Sequence, residues 1–404
     1  MDQGKRLLPM RWPAAWTEPS RLSALEGEAV NCLLFDDPTA CASVRQAALR
    51  RGFAVEQPET VVRIAEGVWP GLVRQERQRG AEAAPTGNPW VDSNGWRVRL
   101  EQCRAPGKPV WVDAALPKDL PPMLRPPHLA LAVADAAAYG ATWVIPPWEG
   151  MDLASPLCRE LLQTIKFFEA RAEWRTFSPW ARLGIVSDFA GDNEFMGGEV
   201  LNLATRRGLA YRALLPTAVT PAHLRGLHGL LHLDSKPPTG PALAAVKAFV
   251  EAGGLLIAPA EVAKLFPAAP TVSDPPHGYR VRRVAKGRLA EPIEPWSDPY
   301  LVAADAHTLL SRRNDYAAIY NASSVVPYIQ RSPDGKRTLI HLPNYALRAN
   351  PGQPMSIRLP ATVKRVRWFV APVEEARELP LTPTEGYQEL QLPDTPVYSA
   401  LEID

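Results

Sequence analysis

Between Ala181 and Ala260, apolar runs of strand length alternate with runs of helix length, and this alternation restricts the fold more than any other feature. ARLGIVSDFAGD reads as a strand and its turn, EFMGGEVLNLATRRG as a helix, and LAYRALLP as a second strand. GLHGLLHLDS gives a third strand, TGPALAAVKAFVEAGG an amphipathic helix, and LLIAP a fourth strand. Strands that are apolar throughout need cover on both faces, so the pattern predicts a parallel sheet with helices packed against it. The segments before and after then become separate domains, at 1–178, 179–274 and 275–404. Length agrees, because 404 residues exceed one ordinary core.

Residues 5–150 repeat a shorter strand–loop–helix theme. LLPMRW, VNCLLFDD, GFAVEQP, VVRIAEG, KPVWVDA and ATWVIPPWEG are strand candidates, with helical segments between several of them. This predicts a parallel sheet, open or closed as a barrel, but six strands are fewer than the eight of a full barrel. SPLCRELLQTIKFFEARAEWRTF then reads as a long closing helix, with Leu157, Leu161, Ile165 and Phe168 on one face. From about Pro275, short alternating strands such as GYRVRRVAKG, KRTLIHLPNY and VYSALEID predict an antiparallel β-sandwich. SPDGKRTLIHL carries the clearest hairpin signal, Asp-Gly between two strand runs. The fold class is therefore α/β multidomain: a partial or small (β/α) barrel, a Rossmann-like middle domain and a C-terminal sandwich.

Composition excludes several partners. A formal net charge of +2, with cations interspersed among acids, leaves no footprint for nucleic acid or an anionic membrane. No apolar run reaches the roughly 18 residues of a membrane span, and MDQGKRLLPMRWPAAW has no long apolar core of an export signal. The chain reads as soluble and cytoplasmic unless such a signal has been removed. Cys32, Cys41, Cys103 and Cys158 show no C-x-x-C spacing and read as core thiols of a reducing compartment. No cofactor is implied, and no metal: His223, His228 and His232 spread over a helix end, a turn and a strand, which suits separate structural histidines.

The strongest chemical signal lies at the strand ends of the first segment. Asp36, Glu56, Glu66, Asp113 and Glu149 each follow a strand candidate, and in α/β barrels those ends converge on one catalytic rim. Taken singly, such acids are more often helix caps and solvated loop residues, as Asp36 and Asp37 would be before PTACASVRQ. Trp69, Trp90, Trp96, Trp111, Trp143 and Trp148 stand near the same loops, and an aromatic face with carboxylates suits a pyranose. Glu66 is the candidate acid, Glu149 the nucleophile or base, and Asp113 a third acid that orients substrate. Trp69, Trp111, Trp148, Trp90, Asp36 and Glu56 are candidate substrate-binding residues. In the middle domain, Asp192, Asn193 and Glu194 make the first strand-to-helix loop too acidic to cradle a phosphate. An enzyme working there through Ser187, Asp188 or Asp234 would need a nucleophile–base pair that the sequence does not display.

The order of segments resembles glycoside hydrolase family 42 β-galactosidases and related hydrolases. AVKAFVEAGGLLIAPA is similar to the helix, Gly-Gly turn and strand of their amidotransferase-like middle domain. DYAAIYNASSVVPYIQRSPDGKRTLIHLPNY is similar to their β-rich end domain, and the likeness covers about residues 155–404. It implies a carbohydrate ligand, hydrolysis of a glycosidic bond and a homo-oligomer formed through the middle domain. The family's acid/base glutamate follows an asparagine at a strand end, whereas the one Asn-Glu pair here, Asn193-Glu194, lies in the middle domain. Two functions therefore stay open: a glycoside hydrolase acting through paired carboxylates, or an inactive carbohydrate-binding or assembly relative.

Overall fold

The computed structural model describes residues 6–75, 78–82, 93–116, 124–148, 150–267, 278–322, 324–346, 354–394 and 396–404. The chain forms two compact units. One comprises Met1–Phe177, Ile319–Pro327 and Ser332–Asp404, and the other Ser178–Ala318 and Tyr328–Arg331.

The first unit begins with short parallel strands: β1 (Pro9–Trp12), β2 (Cys32–Phe35), β3 (Val62–Ile64), β4 (Val110–Val112) and β5 (Thr142–Trp143). β1 pairs with β2, β3 with β4, and β4 with β5, all in parallel. Two further parallel bridges extend the series, Cys32 to Ala54 and Met10 to Ile145. Ile145, just past β5, thus lies beside β1. Alternate residues of each strand share one face, and Cys32, Trp111 and Val144 there form a cluster with Leu7, Leu34, Ala54 and Val61. The helices between the strands are α1 (Ala42–Arg50), α2 (Gly95–Arg104) and α3 (Pro126–Ala138), followed by α4 (Pro156–Glu169). α4 starts where its sequence says it should: Ser155 Oγ accepts from the Cys158 amide and Pro156 fills the first turn.

The second unit holds β6 (Leu183–Val186), α5 (Glu194–Arg206), β7 (Tyr211–Leu214), β8 (Gly229–His232), α6 (Gly240–Glu251) and β9 (Leu255–Ile257). It continues through β10 (Tyr279–Val284), β11 (Gly287–Pro292) and α7 (Pro299–Leu310). Its sheet runs β7-β6-β8-β9-β11-β10, parallel except for the β10–β11 hairpin at the edge. The alternation between Ala181 and Ala260 predicts the parallel part. It places YRVRRV in the terminal sandwich, however, and there the structure differs. The alternation of an edge hairpin is the same whichever sheet it joins, and here Leu255–Ile257 supplies the partner strand for β11. α7 escapes the sequence reading although it carries its own start signal: Asp298 Oδ1 accepts from the Tyr300 amide and Pro299 follows it.

The remaining strands return to the first unit. β12 (Thr338–Pro343), β13 (Met355–Pro360), β14 (Val366–Val370), β15 (Tyr387–Leu392) and β16 (Tyr398–Ile403) are antiparallel, with β16 between β12 and β14, and β13 against β15. They share a core with the N-terminal strands and helices. The Phe168 and Tyr398 rings lie 4.8 Å apart, and Trp174 meets Phe369 edge-on at 5.2 Å. Aromatic burial of this kind is non-local, which is why a segment read as a terminal domain belongs to the same compact unit as the first 177 residues.

Candidate functional site

The strand ends of the first unit bring together four charged side chains. Arg11 on β1 and Arg63 on β3 share the face that carries Trp111, and Asp36 and Asp113 directly follow β2 and β4. Asp113 is 3% exposed. Arg11 grips it bidentately, Nε to Oδ1 at 3.1 Å and Nη2 to Oδ2 at 2.7 Å, and Arg63 reaches Oδ2 from the other side. The remaining nitrogen of Arg11, Nη1, lies 3.2 Å from Asp36 Oδ1. The hydrogen bond to Asp113 raises the Arg11 pKa above its ordinary value, so the guanidinium stays charged at any working pH. A carboxylate so deeply placed needs that compensation, and two guanidiniums provide it. Asp113 therefore acts as the anchor that aims Arg11 and Arg63.

The other nominated acids stand apart from this cluster. Glu56 is exposed and pairs with Arg45 of α1. Glu66 is exposed as well, with no ion pair for its carboxylate among the described residues. Its loop is nevertheless fixed. The Arg97 guanidinium donates to the Glu66 carbonyl, and Asn94 clasps Val68 through both amide groups, Val68 N to Oδ1 at 2.8 Å and Nδ2 to Val68 O at 2.9 Å. Glu149 and Trp90 lie outside the described residues.

Three of the tryptophans near these loops are core residues and not a rim. Trp69, Trp111 and Trp143 are 3%, 1% and 5% exposed. Trp69 packs edge-on against Trp143 with centroids 5.3 Å apart, and Trp111 fills the interior cluster between the strands. Buried rings offer no face to a sugar, and a close-packed core between short strands needs large side chains to fill it. Trp148 and Trp96 are half-buried, and the Arg97 guanidinium sits 5.2 Å from the Trp96 ring. Arg11 and Arg63 escape the sequence reading, although each is a lone cation in an apolar strand, at a position whose alternation turns it towards the acids of neighbouring strands.

In the second unit, the Asp188 amide donates to Asp234 Oδ2 at 2.9 Å, and Asn193 Nδ2 donates to Asp188 Oδ1 at 3.0 Å. Ser187 Oγ accepts from the Phe189 amide, and no hydrogen bond between it and a histidine is seen among the described residues. The three histidines have separate partners: Thr220 Oγ1 for His223, Arg182 for His228, and the Lys236 carbonyl for His232. Among the described residues no cluster of acids, histidines and cysteines could hold a metal ion. Burial pushes the Cys32 thiol up to about 12. No helix of the described residues is long and apolar enough to cross a membrane.

No protein-family description and no curated protein matches the sequence. Solved structures do match the fold. The chain is similar to alpha-L-fucosidase isoenzyme 2 from Paenibacillus thiaminolyticus, with a TM-score of 0.56 and 13% identity over 95% of this chain and 79% of that one. It is similar to a beta-galactosidase from Bacillus circulans sp. alkalophilus, with a TM-score of 0.53 and 9% identity over 77% of this chain and 58% of the enzyme. A rhamnosidase from Novosphingobium sp. PP1Y matches with a TM-score of 0.51 and 14% identity over 90% of this chain, which spans only 38% of it. The chain thus has a multidomain, glycoside-hydrolase-like fold that includes an antiparallel β-rich region.

Proposed function

We propose that the chain is a carbohydrate-acting protein that binds a saccharide where the parallel strands of the first unit end. The observation that carries this reading is the Asp36–Arg11–Asp113–Arg63 cluster at those ends, together with the glycoside-hydrolase-like fold. In this reading the sequence-ordered strands form a shortened barrel, the sheet of the second unit is an amidotransferase-like domain, and the antiparallel strands form a sandwich. Arg11, Arg63 and Asp36 bind sugar hydroxyls. Glu66 protonates the leaving oxygen, and Glu149 attacks the anomeric carbon or activates water.

Release of aglycone from a panel of aryl glycosides tests the hydrolase reading. Glu66→Gln and Glu149→Gln are each expected to lose at least about a hundredfold in kcat. Full activity in either variant removes that residue from the mechanism. The second reading, an inactive saccharide-binding relative, is favoured by the two guanidiniums that occupy Asp113. It is supported if oligosaccharides bind and none is cleaved. The exposed Phe195, Tyr300 and Leu301 of the second unit are the proposed homo-oligomer surface, read by light scattering of a Phe195→Asp variant.

A further inference from the structure

The sheet of the second unit is wound from its middle. β6 is followed in the chain by β7 on one side and by β8 on the other, so the connections that leave β6 and β8 run in opposite directions. Open α/β sheets form a crevice where such connections diverge, beyond the carboxyl ends of the strands. Here it is a cavity of about 400 Å³, the size of a small-ligand site. Its walls come from the segments after β6, β8, β9 and β11. Arg280 joins them from the start of β10, which is antiparallel and so begins at the same edge.

The polar side chains on the wall are Asp192, Asn193, Ser235, Glu261 and Arg280. Two hydrogen bonds fix part of it. The Asp188 amide, just past β6, donates to Asp234 Oδ2 beside Ser235, and Asn193 Nδ2 donates to Asp188 Oδ1 at 3.0 Å. Arg280 Nη2 lies 3.6 Å from Glu291, directly opposite on β11, an ion pair that engages one nitrogen of the guanidinium fork. Trp296 donates its indole N–H to Tyr279 Oη at 3.0 Å. Ring carbon is therefore what Trp296 offers the cavity, alongside Met196 and Leu233.

This wall discriminates between ligand classes. A phosphate, which such crevices often receive, would meet the carboxylates of Asp192 and Glu261. A purely apolar ligand would strip water from five polar side chains and return no hydrogen bond. Carboxylates and an amide oxygen accept, a guanidinium donates and a hydroxyl does both. A ligand that satisfies them all carries several groups that each donate and accept, on a frame with C–H surface for the ring carbon of Trp296.

We propose that this cavity binds a neutral saccharide, its hydroxyls held by Asp192, Asn193, Glu261 and Arg280 and its C–H surface against Trp296. The cavity and the exclusion of anions follow from the wall; the choice of a sugar among neutral polyols rests on the carbohydrate reading above.

Titration calorimetry of the full chain with galactotriose, cellotriose and xylotriose tests it, with trigalacturonate as the acidic comparison. At least one neutral trisaccharide is expected to bind, and at saturation to slow hydrogen exchange in 233–236 and 292–297 of the wild type. Trp296→Ala is expected to weaken that probe at least about tenfold. Trigalacturonate is expected to bind at least about tenfold more weakly than the tightest neutral probe. Asp192→Asn combined with Glu261→Gln removes two exposed charges and keeps their shape, so this penalty is expected to shrink at least about threefold. No binding by any neutral probe, or binding without protection in those two segments, overturns the proposal. Trigalacturonate as tight as the neutral probes overturns the neutral assignment. Asp36→Ala distinguishes this cavity from the saccharide site proposed at the strand ends of the first unit. Binding lost in Asp36→Ala and kept in Trp296→Ala removes the cavity and leaves the carbohydrate reading standing; the reverse result keeps the cavity and removes the first-unit site.

Discussion

Tyr345 Oη donates a 2.5 Å hydrogen bond to Asp135 Oδ1, across 210 positions of sequence. Asp135 lies on α3 with no exposed surface, and it also accepts from Ser93 Oγ at 2.9 Å and from the backbone and side-chain amides of Asn94 at 3.0 and 2.8 Å. Since Asn94 clasps Val68, the network fixes the loop carrying Glu66.

Asp135→Asn replaces one acceptor with a donor that faces donors. We expect a loss of roughly 2–4 kcal/mol in urea unfolding at neutral pH. Burial is the main cause that raises the Asp135 pKa, and its hydrogen bonds oppose it. The folded protein therefore holds this proton where the unfolded chain has lost it. Stability from this group falls as pH rises from the ordinary value of 3.8 towards the raised folded value, and the variant is expected to lose that slope.

Arg11→Ala leaves Asp113 with Arg63 alone. Loss of a bidentate, charge-assisted contact on a buried carboxylate is expected to cost about 2 kcal/mol, less than for a fully buried pair because Arg11 is 31% exposed. In a double-mutant cycle with Asp113→Asn, unfolding free energies should show a coupling on the order of 1–3 kcal/mol. Additive losses would mean that the contact has no energetic content.

His341 on β12 is buried against Tyr398, with Nδ1 2.7 Å from the hydroxyl, and burial holds its pKa down to about 3. The unfolded chain takes up this proton near 6.5, so the folded state binds fewer protons between those values. The stability this group contributes is complete above pH 6.5 and is lost as pH falls towards 3, by on the order of 5 kcal/mol in all. His341→Phe should be less stable than the wild type at pH 7, and its deficit should shrink at pH 4.5.

Gly287 begins β11 against the backbone of the turn after α6. A Cβ there would collide with the carbonyl oxygens of Val250 and Gly254, which cannot rotate away as a side chain could. Gly287→Ala is expected to cost roughly 2–4 kcal/mol and lower the melting temperature by several degrees. An alanine at Gly278, with nothing within 4 Å of its Cβ but a φ of +86°, should cost about 1 kcal/mol.

The sequence by itself determined the local elements. The alternation from Ala181 to Ala260 specifies β6, α5, β7, β8, α6 and β9, because strand and helix periods are written within ten or so residues. The acids at strand ends were legible for the same reason, since Asp36 and Asp113 follow their strands directly. Tertiary structure alone decided what those acids meet. Arg11 reaches Asp113 across 102 positions only because β1 and β4 both border β5 and its continuation at Ile145. The same packing turned Trp111 from a rim platform into core, since alternation states that a residue faces one side but not whether that side is solvent or packed. Pairing of β10 with the parallel sheet and burial of Tyr398 against α4 likewise depend on segments far apart in sequence, whose contacts local pattern does not encode.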